Sequence, residues 1–394
     1  MTADVLVVGA GPAGSVTALL LARSGWRVVL LDRAEFPRTK ACGECVNPGA
    51  VRRLTRLGLS PEALGIDPAP LRGWTLRLPS GCDRRAPFPG DIGEGWGIER
   101  QVLDDRLLKA AIGAGVDARL GEYVEGAALR PDAPATVQTQ SGSLSARVVV
   151  AADGLRSRVA RSLGWVHRGP APSKVSQTMR IVGVSRPSDH GHLVLDQAET
   201  IGLAPVGGSA WNLTRVVRGG RGADVASDAL DLLRRAAGHI PGLGAARPDG
   251  PIRASGPFHW LTRRVVGPGL VLVGDAAGYY DPLTGQGIHR AISGAEEAAR
   301  VIDDALNHGA LVGEHSLAPY ARSLRRTQEP GRRVQRTIEW LLGHPSLLAG
   351  ALSYLDRAGT LPDLVAVTGD ARPVRSLLTP RHLRLGRPRI SRHE

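Results

Sequence analysis

The stretch Val5-Leu6-Val7-Val8-Gly9-Ala10-Gly11-Pro12-Ala13-Gly14 decides how the chain folds at its start. Its four apolar residues predict a buried strand, and the G-x-G-x-x-G pattern predicts a tight turn that opens into a helix. Such a turn lets backbone approach a pyrophosphate, and the helix N-terminus adds unpaired N–H donors and partial positive charge. We therefore interpret the turn as a dinucleotide-binding site formed by Gly9, Gly11, Pro12, Ala13 and Gly14.

A second strand follows the predicted helix and ends in an acid. The pattern predicts a helix over residues 13–24 and a strand over residues 27–31, which Asp32 closes. An acid at this position accepts hydrogen bonds from an adenosine ribose, and Arg33 beside it is a further candidate contact. This unit alone fits NAD and FAD equally well.

Two later segments distinguish these cofactors. In residues 148–157 an apolar strand runs into Asp153-Gly154, and in residues 269–278 another strand ends in Gly274-Asp275. A carboxylate at the end of the second strand can accept a hydrogen bond from a ribityl hydroxyl. Because a ribityl chain is present in FAD and absent from NAD, these segments favour FAD.

The run D-P-L-T-G-Q-G at residues 281–287 leads into another predicted helix. Its bare turn lets a flat ring lie against backbone, and the helix N-terminus places positive potential near the edge of that ring. Such potential favours an anionic reduced flavin. The candidate cofactor contacts here are Pro282, Gly285, Gln286, Gly287 and Ile288.

Together, and in this order, the three segments resemble the FAD-binding signatures of one large flavoprotein family. This family holds the aromatic-ring hydroxylases (group A flavin monooxygenases), the geranylgeranyl reductases and the flavin halogenases. The resemblance covers most of residues 1–330. It implies that the glycine turn and Asp32 hold the ADP part of FAD, and that Asp153-Gly154 lies near the pyrophosphate. It also implies that Asp275 meets the ribityl chain, that residues 285–287 lie beside the isoalloxazine, and that Arg100 lies near the flavin.

The loop F-P-R-T-K-A-C-G-E at residues 36–44 resembles the F-P-R-x-K-x-C-G-[ED] loop of the geranylgeranyl reductase branch. This resemblance makes Cys42 a candidate flavin contact and proton donor. Cys45 completes a C-x-x-C pair that we attribute to chance. The aromatic Y-G-W-x-F-P strand of those reductases is replaced by G-L-A-P at residues 202–205, which counts against reduction of an isoprenoid chain. The W-x-W-x-I-P motif of tryptophan halogenases is absent, which ranks halogenation last.

The order of the predicted elements indicates an α/β fold with two interleaved domains. We expect a Rossmann-like FAD-binding domain of the GR2 type over residues 1–70, 97–165 and 260–330. Residues 71–96 and 166–259, with strand-like alternation, are expected to form an antiparallel β-sheet substrate domain. Residues 331–394 are expected to form a helical C-terminal region with a basic tail.

The composition excludes several classes of protein. The formal charge of +13 comes almost entirely from arginine, and the 4% aromatic content and absence of a nucleic-acid module argue against nucleic-acid binding. No apolar run approaches the ~20 residues of a membrane span, although the C-terminal arginines could contact an anionic membrane surface. Three cysteines and the lack of a secretory pattern predict a cytoplasmic protein. The histidine spacing predicts no metal site.

The leading functional hypothesis is a monooxygenase that uses FAD, NAD(P)H and O2 on an apolar or aromatic small molecule, as in secondary metabolism. Its candidate catalytic residues are Cys42, Tyr279, Tyr280 and Gln286. The first alternative is a geranylgeranyl-reductase-like reductase or dehydrogenase that acts on a carbon–carbon bond. A flavin halogenase is the second alternative.

Overall fold

Two large β-sheets joined by helices organise the computed structural model, which describes residues 3–78, 81–168, 174–218, 228–279 and 282–378. The strands are β1 (Ala3–Val8), β2 (Val28–Asp32), β3 (Cys45–Val46), β4 (Ala69–Leu71), β5 (Gly73–Arg77), β6 (Asp83–Pro87), β7 (Gly95–Gly97), β8 (Asp117–Leu120), β9 (Val124–Ala128), β10 (Ala135–Thr139), β11 (Gly142–Ala151), β12 (Val166–Arg168), β13 (Lys174–Val182), β14 (His190–Leu195), β15 (Glu199–Gly207), β16 (Ala210–Arg218), β17 (Arg247–Pro248), β18 (Arg253–Ser255), β19 (Trp260–Thr262), β20 (Val266–Gly267) and β21 (Leu270–Leu272). The helices are α1 (Pro12–Arg23), α2 (Pro48–Arg56), α3 (Pro61–Leu64), α4 (Arg100–Gly113), α5 (Arg158–Ser162), α6 (Ala229–Ala237), α7 (Gly287–His308), α8 (Glu314–Leu342), α9 (Pro345–Arg357) and α10 (Leu361–Thr368).

The first sheet places the N-terminal glycine turn at its centre. Its strand order is β20-β21-β11-β1-β2-β8, and the pairs that join β21, β11, β1, β2 and β8 are parallel. Val5 and Val7 in β1 are fully buried, since the strand is covered on both faces. The chain leaves β1 toward β2 on one side while β11 lies on the other side. This is the topological switch point, where open α/β sheets bind ligands.

The second sheet has the order β17-β13-β16-β15-β14-β5-β6, and its pairs are antiparallel except β14 with β5. One of its faces packs on α6 through an apolar core that includes Met179, Ile181, Leu213 and Leu232. The other face looks toward the first sheet. The structure thus confirms the α/β fold class and the antiparallel sheet that the sequence predicted.

A small third sheet, with the order β3-β7-β4, joins the two larger ones. Residues 71, 95 and 96, which we expected in the substrate domain, lie in this small sheet, whereas β5 and β6 from the same stretch of chain belong to the second sheet. We propose the two-domain division expected from the sequence, with the crossing points placed in this small sheet.

The C-terminal helices pack against the β5–β6 ribbon. Leu342, Leu352 and Leu361 share a core with Leu76 and Phe88. The domain boundary expected at residue 330 falls inside α8, which continues through it from Glu314 to Leu342. Within the described ranges, every helix is too short or too polar to cross a bilayer. The basic tail beyond residue 378 lies outside the described residues.

Candidate cofactor and substrate site

A cavity of about 1100 Å³ lies between the two large sheets and brings the three sequence segments together. Asp32 and Asp275 both line it, as one elongated cofactor that contacts both acids requires. The predicted site residues on its wall are Gly9, Gly11, Pro12, Ala13, Asp32, Arg33, Cys42, Arg100, Asp153, Gly154, Asp275, Tyr279, Pro282, Gly285, Gly287 and Ile288.

The glycine turn presents bare backbone to this cavity. Gly9 has a φ of +101°, and a Cβ atom added there would lie 2.5 Å from the Ala152 carbonyl oxygen, so the position requires glycine. Gly11 is the N-cap of α1, and no side chain caps that helix. The first N–H groups of α1 therefore remain available for an anion.

Asp32 fixes the turn from the end of β2. Its Oδ2 accepts the Ala10 N–H at 2.7 Å, and its Oδ1 accepts the Ala34 N–H at 2.9 Å. The carboxylate is 9% exposed and faces the cavity. Two backbone donors thus hold it in place, which suits a residue that receives ribose hydroxyls.

Two predicted contact glycines do not line the cavity. A Cβ atom on Gly14 would lie 1.7 Å from the Gly9 carbonyl oxygen, and one on Gly274 would lie 2.8 Å from the Ala13 Cβ. Both glycines let elements pack closely behind the cavity wall. This packing supports a role for both glycines in the turn, and their assignment as cofactor contacts stays a prediction.

Gln286 is buried at the N-terminus of α7, and it is not among the residues that line the cavity. It donates to Asp370 Oδ1 at 2.7 Å and accepts from Arg290 Nη2 at 2.7 Å. Asp370 also accepts from Asn47 Nδ2 at 3.2 Å, so residues from three distant segments fix the turn. These bonds give Gln286 a supporting position in the turn, and its catalytic role stays a prediction.

The loop that contains Cys42 is folded onto the cavity and held by a buried ion pair. Arg100 makes two 2.8 Å hydrogen bonds with Asp104, and its Nη1 donates to the Cys42 Sγ at 3.5 Å. The Cys42 carbonyl oxygen accepts from Asn212 Nδ2 at 2.8 Å, which ties the loop to β16. Cys42 and Cys45 are both free thiols, and burial raises the pKa of Cys45 well above its ordinary value.

Lys40 is a site residue to which the sequence pattern assigned no role. Its Nζ lies 3.9 Å from Asp275 Oδ2, and 4.0 Å from the point where a Cβ atom on Gly154 would lie. This ammonium group therefore stands between two of the cofactor-binding segments. It supplies a positive charge where the resemblance places an anionic pyrophosphate.

Asp153 lines the cavity, but its carboxylate accepts hydrogen bonds from backbone N–H groups. Its Oδ2 accepts the N–H groups of Arg158 at 2.7 Å and Val159 at 3.3 Å, at the start of α5. Burial raises the pKa of this carboxyl group, and these hydrogen bonds oppose the rise. The residue holds the adjacent turn in position.

Tyr279 reaches the cavity, whereas Tyr280 lies outside the described residues. The backbone of Tyr279 exchanges two 2.7 Å hydrogen bonds with Trp260. Its ring lies 5.4 Å from that of Phe258, inclined at 51°, and both rings line the cavity. They form an aromatic part of the wall close to the turn at residue 287.

Glu44 is expected to make the stability of the fold depend on pH. It has a φ of 57°, and burial raises its pKa although its Oε1 accepts the Arg100 N–H at 3.2 Å. A carboxyl group whose pKa is higher in the folded state stabilises the fold most at low pH, and that contribution is lost as pH rises through the raised value. Glu44→Gln should therefore gain stability relative to wild type from about pH 4 upward, in melting curves recorded at several pH values.

Glu62→Gln is the matched control for that experiment. The hydrogen bond with Ser60 lowers the pKa of Glu62, so its contribution is present above the ordinary pKa and is lost as pH falls. This control variant should lose stability relative to wild type as pH rises. If both variants follow the same trend with pH, the argument for Glu44 is wrong.

The wall of this cavity fits FAD. Bare backbone at Gly9 and Gly11, an uncapped helix N-terminus and the Lys40 ammonium suit a diphosphate. Asp32 and Asp275 lie where the two halves of a dinucleotide offer hydroxyl groups.

Comparisons with known proteins agree with this geometry. A family model for the FAD binding domain matches residues 2–316. A menaquinone reductase of Mycolicibacterium smegmatis is 31% identical over 381 residues, which cover 91% of this chain and 89% of that protein. Digeranylgeranylglycerophospholipid reductase 2 of Methanopyrus kandleri is 31% identical over 324 residues, which cover 78% of each chain.

Solved structures share the fold over nearly the whole chain. A flavin-dependent brominase has a TM-score of 0.79 at 17% identity, with 94% of both chains covered. A geranylgeranyl bacteriochlorophyll reductase-like protein from Thermoplasma acidophilum has a TM-score of 0.71 at 22% identity, with 97% of this chain and 95% of that chain covered.

Fold, cavity and relatives together define the class of this protein, which is an FAD-dependent oxidoreductase. The chain belongs to the FAD binding domain family, and a menaquinone reductase and a digeranylgeranylglycerophospholipid reductase are among its relatives.

Proposed function

We propose that this protein reduces a carbon–carbon double bond of a small molecule, with electrons that NAD(P)H delivers through FAD. The observation that carries the proposal is the position of Cys42, whose thiol lies on the cavity wall under a hydrogen bond from Arg100. Two relatives that match most of this chain are named as reductases, which supports the same reaction type. The monooxygenase hypothesis drawn from the sequence becomes the second candidate.

Reduction of a double bond adds one hydride and one proton to two neighbouring carbons. FAD held by this cavity wall would supply the hydride, with electrons that come from the nicotinamide donor. The protein holds the proton on Cys42 Sγ, from which it passes to the second carbon. The Arg100 guanidinium at 3.5 Å then stabilises the thiolate that remains.

The rest of the cavity wall binds and orients the cofactor and the substrate, and it excludes water. The N-terminus of α1 and Lys40 neutralise the diphosphate, and Asp32 receives the ribose. The turn at residues 285–287 gives the ring a flat support, and the N-terminus of α7 places positive potential at its edge. This potential favours the anionic reduced form of the cofactor and therefore helps the cofactor to accept electrons from the nicotinamide donor.

Monooxygenation is the second candidate because Tyr279 and Phe258 give the cavity an aromatic wall. Such a wall suits a flat substrate held over the ring. In that reaction the oxygen atom would come from O2, and product formation would stop without it. Oxygen dependence therefore separates the two candidates.

The test is anaerobic. The reduced holoenzyme is mixed with a short-chain menaquinone, a probe chosen from the name of the relative, and the flavin absorbance and product mass are recorded. We expect flavin reoxidation together with a product that has gained two hydrogens and keeps them after exposure to air, which returns a simple quinol to the quinone. Cys42→Ala should slow this step by about 100-fold or more while FAD stays bound, and Cys82→Ala, a change at an exposed thiol, should not.

A different result would exclude the proposal. If the flavin stays reduced without oxygen, and only aerobic mixing yields a product that has gained an oxygen atom, the enzyme is a monooxygenase. If Cys42→Ala reacts as fast as Cys82→Ala, Cys42 is not the proton donor.

A further inference from the structure

The face of the second sheet that lines the cavity carries several hydroxyl groups. A channel for a hydrocarbon chain does not require such polar groups. In antiparallel strands, directly paired residues project to the same face. Ser176 pairs with Val216, which pairs with Thr200. Thr178 pairs with Thr214, which pairs with Gly202, and all six residues line the cavity.

The opposite face of the same strands is buried and mainly apolar, and its polar residues Gln177 and Arg215 hydrogen-bond each other, with Arg215 also paired to Glu199. Met179 and Leu213, which pair in the next position along β13 and β16, are 2% and 0% exposed and pack with α6. The alternation therefore places apolar residues against the helix and hydroxyl-bearing residues against the cavity. Because these hydroxyls face the cavity and not packed protein, they are positioned to exchange hydrogen bonds with a molecule bound there.

Three of these hydroxyl groups are available to a ligand. Ser176, Thr178 and Thr200 are 5%, 4% and 7% exposed, and none makes a side-chain hydrogen bond to another residue in the described part of the chain. Thr214 differs, because its Oγ1 accepts from Asn212 Nδ2 at 3.3 Å. The three hydroxyls lie in two adjacent cross-strand rows and so form a small polar patch.

The surroundings of the patch limit the shape and charge of its ligand. Gly202 leaves open space, since a Cβ atom there would meet only Leu193 and Thr214 at ordinary contact distances of 3.5 and 4.0 Å. Trp74 lines the same wall as an aromatic surface. The charged side chains that flank the patch on this face of β13 and β16 are paired, Arg180 with Glu99 at 2.9 Å and both Lys174 and Arg218 with Glu339. A neutral, flat molecule therefore fits better than a carboxylate.

We propose that Ser176, Thr178 and Thr200 form the substrate-recognition site, and that the substrate is a neutral ring bearing carbonyl or hydroxyl oxygens. This proposal rests on the proposed function, because it places the substrate of that reaction against this wall. The hydroxyls can donate to ring carbonyls and accept from ring hydroxyls. A carbonyl beside the reacting double bond also polarises it toward hydride addition. This polar patch narrows the class of substrate from an apolar or aromatic molecule to an oxygenated ring.

The test compares two probes of nearly the same shape, menadione and 2-methylnaphthalene, which differ in the two ring oxygens. Their dissociation constants are measured by titration calorimetry on the oxidised holoenzyme without an electron donor. We expect wild type to bind menadione at least about tenfold more tightly. The triple variant Ser176→Ala/Thr178→Val/Thr200→Val should bind both probes within about threefold of each other. Thr75→Val, in the same sheet but away from the cavity, should keep the wild-type preference.

Three outcomes would overturn the inference. Wild type binds menadione no better than 2-methylnaphthalene, or the triple variant keeps the preference, or the triple variant loses FAD, which would show that the hydroxyls hold the cofactor. Because no turnover is involved, a clear probe preference with no anaerobic double-bond reduction would remove the proposed reaction and leave this site standing. Anaerobic double-bond reduction without a probe preference would remove this site and leave the proposed reaction standing.

Discussion

Gly11→Val yields a folded protein without flavin, if the turn after β1 holds the cofactor as we expect. Gly11 is the N-cap of α1 with φ −73°, a conformation that valine adopts without strain. A Cβ atom there would meet only the Arg38 Nη2, at 3.4 Å. The added side chain would instead project into the cavity, where it occupies the space of the diphosphate. We expect FAD affinity to fall by at least about 100-fold, equal to about 3 kcal/mol, with little change in melting temperature of the apoprotein.

Gly14→Ala is the contrasting variant. Its Cβ would lie 1.7 Å from the Gly9 carbonyl oxygen, so the helix must move away from the strand and the fold itself is damaged. FAD content, read from the absorbance of the purified protein, and circular dichroism on the apoproteins separate the two effects. A yellow Gly11→Val protein with wild-type FAD affinity would mean that the cofactor does not pass this turn.

The contrast between Gly11 and Gly14 shows what the sequence could specify. The strand, turn and helix at residues 5–23 are local, so the order of residues determines them and the prediction was close to the observed bounds. The glycines of the motif have different tasks, however. Which glycine faces the ligand and which faces the strand depends on packing between α1 and its neighbours, and the pattern alone assigned all of them to the cofactor.

Residues contributed by distant segments were the least predictable. Asn212 reaches the Cys42 loop from β16, and Asp370 reaches the flavin-side turn from beyond α10. Neither lies in a motif, so nothing local marked it. For Gln286 a signal was present, since Arg290 follows it by one helical turn and could bind its side chain. Hydrogen bonds with Arg290 and Asp370 hold the Gln286 side chain, which explains why it does not line the cavity.

The polar wall was partly visible in the sequence. Ser176 and Thr178 alternate with larger residues in β13, as do Asn212 and Thr214 in β16. A period of two predicts a strand with one polar face, and such a face usually meets water. Only the packing of the two sheets shows that this face lines a cavity. In that position its hydroxyl groups can contact a bound molecule instead of bulk water.

Arg100→Met is expected to cost about 3–5 kcal/mol of unfolding free energy, the largest stability effect among these predictions. The residue is 4% exposed, and its two 2.8 Å hydrogen bonds are with Asp104, which is 0% exposed. Methionine keeps much of the volume but leaves the Asp104 carboxylate with Arg38, at 3.6 Å, as its remaining cationic partner. A buried charge that loses its main partner is strongly destabilising. Urea unfolding followed by circular dichroism measures the loss.

Two further variants identify the cause. In Arg100→Met/Asp104→Leu the stranded charge is gone, so most of the lost stability should return, although Cys42 still lacks its donor. Arg27→Met breaks a pair with Asp4 in which the Arg27 side chain is 60% exposed, and it should change stability little. If the double variant is as unstable as Arg100→Met, packing rather than charge explains the loss. If it folds well but reduces substrate as slowly as Cys42→Ala, the guanidinium acts through the Cys42 thiol, which separates its role in the reaction from its role in the fold.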